Sequence, residues 1–216
     1  MRRIALLFAA AFAGVCAAVS LGGFTRLDQW SLDHVMPWLS PVSHPSTIAS
    51  IMLPFDSRTR GVEIPLRLWT YPASVPVSAL VLGLCVTLLW RRGARVAAAA
   101  WATAWVASNA AEVGGKHYIH RSALHVLWHG RSAHVVGFDD SFPSGHTLRA
   151  LLLAVLLVLV WPHARTAAVA WVAVTFALLV VTNAHTPSDV LGGVLLAGAL
   201  AVPAVCLTRG AWRVPE

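Results

Sequence analysis

Long apolar runs separated by polar stretches dominate this chain. Six stand out, roughly Ile4–Gly22, Pro72–Trp90, Val96–Ala111, Thr147–Trp161, Thr166–Ala184 and Val190–Leu207. A hydrocarbon core about 30 Å thick takes about 20 helical residues, with a lower limit near 17. Four runs meet that limit alone; Val96–Ala111 and Thr147–Trp161 need flanking residues or neighbours to complete a span. Backbone groups in lipid must be satisfied within their own segment, which favours helices, and the period-2 alternation of a barrel is absent. The pattern predicts an all-α protein: a six-transmembrane helical bundle, residues 1–216 forming a single integral membrane domain. The first run has a rival reading as a secretory signal peptide, since Arg2-Arg3 precede an alanine-rich stretch ending in small residues; its length favours a retained helix. Between the first two runs, Asp28 to Leu39 places apolar residues at helical spacing. This suits an amphipathic helix, lying in the interface or packed on the outer helix ends.

Composition agrees. Of the 216 residues 57% are apolar and 12% charged, about half the charge of a soluble domain. The formal net charge is +7, yet the basic residues, arginine except for Lys116, are scattered between apolar runs. That argues for membrane topology rather than nucleic-acid binding. Cys16, Cys85 and Cys206 each lie inside an apolar run and read as packing residues.

Arginine placement sets the orientation. Arg2, Arg3, Arg91, Arg92, Arg95, Arg165, Arg209 and Arg213 fall in short segments on one side, while the long loops opposite hold eight of the nine acidic residues. The positive-inside rule places both termini in the cytoplasm. The chain is therefore expected in the cell (inner) membrane, multi-pass, its active site extracytoplasmic. Trp69, Tyr71, Trp90 and Trp161 sit at segment ends as interfacial anchors.

Three polar clusters are expected on the outer face. Lys116-His-Tyr-Ile-His-Arg121 follows the third run, Pro143-Ser144-Gly145-His146 precedes the fourth, and His185-Thr-Pro-Ser-Asp189 opens the sixth. Pro and Ser suit a helix start, whose free N–H groups attract an anion, and glycine allows close approach to a phosphate. His146 there is placed to protonate a leaving oxygen, or is a buried histidine beside a simple cap. His185 and Asp189, four apart, share a helix face or meet in a turn if Pro187 keeps His185 outside the helix. A carboxylate on one imidazole nitrogen leaves the other as nucleophile; the alternative is helix capping by Asp189. Lys116 and Arg121 are candidates to neutralise phosphate oxygens, or interfacial residues with Glu112 and Lys116 paired at i,i+4.

Together the clusters resemble the PAP2 superfamily, which includes lipid phosphate phosphatases, bacterial acid phosphatases and vanadium haloperoxidases. The family pattern is Lys-x6-Arg-Pro, Pro-Ser-Gly-His and Ser-Arg-x5-His-x3-Asp. Pro143 to His146 match in full, His185-x3-Asp189 closes the third motif, and Lys116 fits the first. The first-motif arginine and proline are replaced by Ala123 and Leu124, Arg121 matching an arginine two places earlier, and the Ser-Arg of the third by Leu178-Leu179. The resemblance implies a PAP2/haloperoxidase-like core and metal-independent hydrolysis of a lipid phosphate or diphosphate, such as phosphatidic acid, phosphatidylglycerophosphate or a polyprenyl diphosphate, with no cofactor. His185 would form a phosphohistidine, Asp189 would orient it, and His146 would protonate the leaving group. Lys116, Arg121, Ser144 and Gly145 would hold the phosphoryl oxygens. Some other cation is expected to fill the gap at Leu179: Arg149, one helical turn from His146, or Arg131.

Three alternatives compete. His125 and His129 have the spacing of a helical zinc pair, although no glutamate follows His125 as in a zinc-protease motif. Haloperoxidases share the anion pocket but resemble soluble proteins. A non-enzymatic lipid-phosphate-binding member would keep the pocket without turnover.

Overall fold

The computed structural model of the chain describes residues 2–35, 68–128, 131–134, 138–182 and 184–211. Within them lie six long helices: α1 (Arg2–Ser20), α3 (Val75–Arg91), α4 (Arg95–Tyr118), α5 (Gly145–Val160), α6 (Arg165–Val181) and α7 (Pro187–Ala211). A shorter helix, α2 (Thr25–His34), follows α1. Tight turns join α3 to α4 and α5 to α6, making each pair antiparallel neighbours. The α3–α4 turn closes on Gly93 with φ +80°, which lets the Ala94 N–H return to the Leu89 carbonyl at 3.0 Å.

The six-helix layout is as the apolar runs predict, with two differences. The third helix does not stop at Ala111 but runs on to Tyr118, so Lys116 stands on its last turn rather than after it. The all-helical expectation also misses a small antiparallel ladder, β1 (His125–Trp128) with β2 (Arg131–His134), in register His125 to His134. Three stretches, Arg2–Ser20, Pro162–Val181 and Pro187–Gly210, have the length and apolar composition to cross a membrane; α3 and α5 are apolar but shorter.

α7 is the central element, packed against α1, α4 and α5. Its core partners include Leu148, Leu152, Leu153 and Leu156 of α5 and Trp101 of α4. The Trp101 indole donates to the Thr208 hydroxyl at 2.9 Å, which satisfies a buried polar atom inside the apolar layer. Leu7, Leu80, Val106 and Val169 are exposed on the outside of the bundle, as in a membrane protein whose surface meets lipid.

The end that carries the polar clusters is capped by α2 and the ladder. Leu32, Leu124 and Phe138 form a small separate core there. Gln29 of α2 clamps β1 from both sides, accepting from the His125 N–H at 3.0 Å and donating to its carbonyl at 2.6 Å. α2 buries Asp28, Ser31 and Leu32 and exposes Leu27 and Trp30, so it packs on the helix ends with one apolar edge outward. Residues 36–39 of the amphipathic stretch lie outside the described residues.

Small residues on α7 let the 142–147 segment approach closely. A Cβ at Gly193 would lie 2.7 Å from the Ser144 carbonyl and 2.8 Å from Thr147 Cβ, and one at Gly192 would run into the buried Phe142 ring. A Gly193→Ala substitution is therefore expected to cost about 1–3 kcal/mol by overpacking. Gly83→Ala, where nothing lies within 4 Å, should not destabilise. Thermal unfolding of the detergent-solubilised variants checks this; equal midpoints would mean that the contact is not tight.

Candidate active site

Two helix N-termini meet at the capped end, and their sequences explain why. Ser144 is the N-cap of α5, its hydroxyl accepting the Thr147 N–H at 3.3 Å. Thr186 precedes Pro187, the first residue of α7. Asp189, in the first turn, reaches back to accept the Thr186 N–H at 3.0 Å, half of a capping box. The two starts are tied by the Ser144 N–H, which donates to the Asp189 carbonyl at 3.0 Å. His146 and His185 consequently face one another, with ring centroids 6.3 Å apart.

His185 stands outside α7, in the turn. Its Nδ1 lies 3.4 Å from Asp189 Oδ2, longer than a strong hydrogen bond. Such contacts often tighten only once substrate is bound. Asp189 thus caps the helix and faces the histidine at once, so capping leaves the His185 contact in place. Leu179, where the family has its arginine, is buried, and its carbonyl accepts the His185 and Ala184 N–H groups at 3.0 Å each. The position still braces His185, through its backbone.

Two charged networks flank the histidines. In the first, Glu112 pairs with Lys116 at 2.8 Å and with Arg149. Arg149 is buried and points into the bundle, its Nε donating to the Ala73 carbonyl at 2.7 Å and its Nη1 to Asn109 Oδ1 at 3.0 Å. The inward position expected from the three-residue spacing is therefore observed. The carboxylate that meets Arg149 was read in the sequence only as an interfacial partner of Lys116.

The second network is centred on Arg121, whose side chain is 3% exposed. Its Nη1 donates to Asp189 Oδ1 at 2.9 Å and to Ser141 and Thr186 hydroxyls at 3.1 Å each, and its Nη2 to Ser188 Oγ at 3.2 Å and to Asp28. Asp28, fully buried, also accepts the Ser188 N–H at 3.1 Å and hydroxyl at 2.7 Å. Burial pushes the Asp28 carboxyl above the usual carboxylate range, opposed by the Ser188 hydroxyl and the Arg121 guanidinium. The arginine expected to clamp substrate is thus engaged with protein acceptors behind His185. Asp28, Ser188 and Thr186 were not singled out in the sequence as site residues; the only cue was that Asp28 opens an amphipathic stretch.

Beside this network lies an open cleft of about 280 Å3, lined by His120, Arg121, Ala123, His134 and Asp139. His125 is on a strand, so the helical zinc spacing with His129 does not arise; His129 and the side chain of Arg131 lie outside the described residues. Among the described residues no three His, Cys, Asp or Glu side chains converge as metal ligands.

Comparison with known proteins places the fold and the family. A solved structure of a transmembrane PAP2 type phosphatidylglycerolphosphate phosphatase from Bacillus subtilis superposes with a TM-score of 0.65 at 16% identity, over 98% of this chain and 99% of that one. A search of curated protein sequences gave no match. The family model of the PAP2 superfamily matches residues 93–213, which include all three polar clusters. The chain therefore belongs to the PAP2 superfamily.

Proposed function

We propose that the protein is a phosphatase that hydrolyses a lipid phosphate or diphosphate at the extracytoplasmic membrane surface, without a metal, through a phosphohistidine on His185. The observation that carries this reading is the facing pair of histidines, one backed by Asp189 and the other at the start of α5. With Nδ1 directed at Asp189, the Nε2 lone pair of His185 is free to attack phosphorus. The bond from phosphorus to the leaving oxygen breaks as the N–P bond forms, and His146 gives that oxygen its proton. Water then attacks phosphorus as the N–P bond breaks, which frees His185 Nε2 and releases inorganic phosphate, and the proton lost by the water goes to His146, so the cycle closes with the consumption of one water. Lys116, Arg149 and the N–H groups at the start of α5 offset charge on the phosphoryl oxygens. Arg121 and Asp28 act one layer behind, holding Asp189 in place.

The substrate class rests on the apolar exterior and the position of the site at the helix ends. The Bacillus subtilis relative is a phosphatidylglycerolphosphate phosphatase, and a phospholipid monoester of that kind is among the candidates. The outward orientation rests on the arginine-rich short segments Arg91–Arg95 and Arg2–Arg3.

Each part of the reading has its own test. Release of phosphate from a panel of lipid phosphates should continue in excess EDTA. His185→Ala should reduce it at least about a thousandfold. His146→Ala should slow it by about 10²–10⁴-fold, most for poor leaving groups. Near wild-type turnover in His185→Ala, or strong EDTA inhibition, would refute the assignment. Asp28→Asn should lower kcat while leaving KM close to wild type, because it loosens Asp189 rather than the phosphate contacts; Asp28→Glu should restore part of the loss, and a change confined to KM would contradict this role. For orientation, in a chain with its three native cysteines replaced by alanine, Leu21→Cys should label with an impermeant thiol reagent in intact cells. Gly93→Cys should label only after permeabilisation. The reverse pattern would invert the topology.

A further inference from the structure

The group that fills the side-chain position of Gly145, the first residue of α5, is an internal anion. Gly145 has no side chain, and a Cβ built on it would overlap both carboxylate oxygens and the carboxyl carbon of Glu112. That carboxylate is only 13% exposed and is held between Lys116 at 2.8 Å and Arg149. It therefore sits against a helix N-terminus between the two cations that the phosphatase reading gives to the phosphoryl group. An anion here is electrostatically at home, and a carboxylate offers the same pair of acceptor oxygens to two cations that a phosphate would.

Resting on that reading, we propose that Glu112 fills the phosphoryl position and sets phosphate affinity by competing with substrate. Several features support displacement rather than a permanent pair. Arg149 is held independently, by the Ala73 carbonyl and Asn109, so its guanidinium stays in place when Glu112 leaves. Lys116 is 37% exposed and one turn along the same helix, free to turn with an incoming oxygen. The charge count points the same way: one carboxylate faces two cations, and a phosphoryl group in place of the carboxylate restores neutrality or better. The consequence is weak retention of inorganic phosphate. A lipid substrate has its acyl chains to offset the cost of expelling Glu112, whereas the free product does not, so product leaves readily. The same competition selects for substrates anchored in the bilayer over water-soluble phosphate esters.

The test is direct binding of inorganic phosphate and orthovanadate to the detergent-solubilised full chain, read by titration calorimetry and by inhibition of turnover. Glu112→Gln keeps the volume and removes the charge; it should bind both anions at least tenfold more tightly than wild type and lower KM for a short-chain soluble phosphate ester more than for a long-chain lipid. Glu112→Asp, which keeps the ion pair but draws the carboxylate back by one methylene, should shift in the same direction and serves if the glutamine variant does not fold. Unchanged or weaker anion binding in both variants would overturn the inference, since a carboxylate that merely orients Lys116 and Arg149 would be missed by the anion. The parent reading fails separately: if Lys116→Ala leaves phosphate binding of the wild type intact, the anion binds elsewhere.

Discussion

Charge buried among apolar helices has to be paired, because an isolated ion in low dielectric costs several kcal/mol or more. That requirement shapes the whole site-bearing end of this bundle. Arg121 lies between Asp28 and Asp189, and Glu112 lies between Lys116 and Arg149. One network carries an excess carboxylate and the other an excess cation, and the two histidines stand between them. The positions of α2, of the last turn of α4 and of the α5 and α7 N-termini all follow from closing these two networks. Loss of one member of such a pair strands its partner, which typically costs about 3–5 kcal/mol, so the networks hold the bundle end together as well as serving its chemistry.

The division of labour between the networks accounts for the departures from the family pattern. The arginine position of the third motif is Leu179, whose carbonyl still braces His185. The buried guanidinium on this side of the bundle is Arg149 of α5, held by the Ala73 carbonyl, Asn109 and Glu112. Arg121, although close in sequence to Lys116, turns away from it because Asp28, Asp189 and three hydroxyls offer a guanidinium more acceptors than the pocket does. A guanidinium has five donors in a fixed plane and settles where they are satisfied.

What the sequence made legible was local. Pro143 to His146 and His185 to Asp189 are short segments whose meaning lies in helix-start chemistry, and the inward direction of Arg149 follows from its three-residue offset from His146. The apolar runs gave the six helices to within a few residues, except that α4 continues through Gly114-Gly115 because its polar last turn is anchored by the Glu112–Lys116 pair and by packing against Pro143. Contacts between distant segments were not legible. Asp28 meets Ser188 across 160 positions, and nothing in its neighbours distinguishes it from a solvated face residue. The Glu112–Lys116 pair was visible as i,i+4 spacing, but its seat against Gly145 depends on how α4 and α5 cross. The ladder at 125–134 was hidden by its closely spaced histidines, which read as a helical metal pair.

The central claim is that phosphorus passes through His185. The most direct measurement is rapid quenching of the detergent-solubilised protein with a labelled lipid phosphate in the presence of EDTA, followed by mapping of the label. The account predicts a base-stable, acid-labile phosphoryl group on His185 that accumulates when His146→Ala slows attack by water. A covalent phosphoryl group on another residue, or turnover with none at any time point, would contradict it.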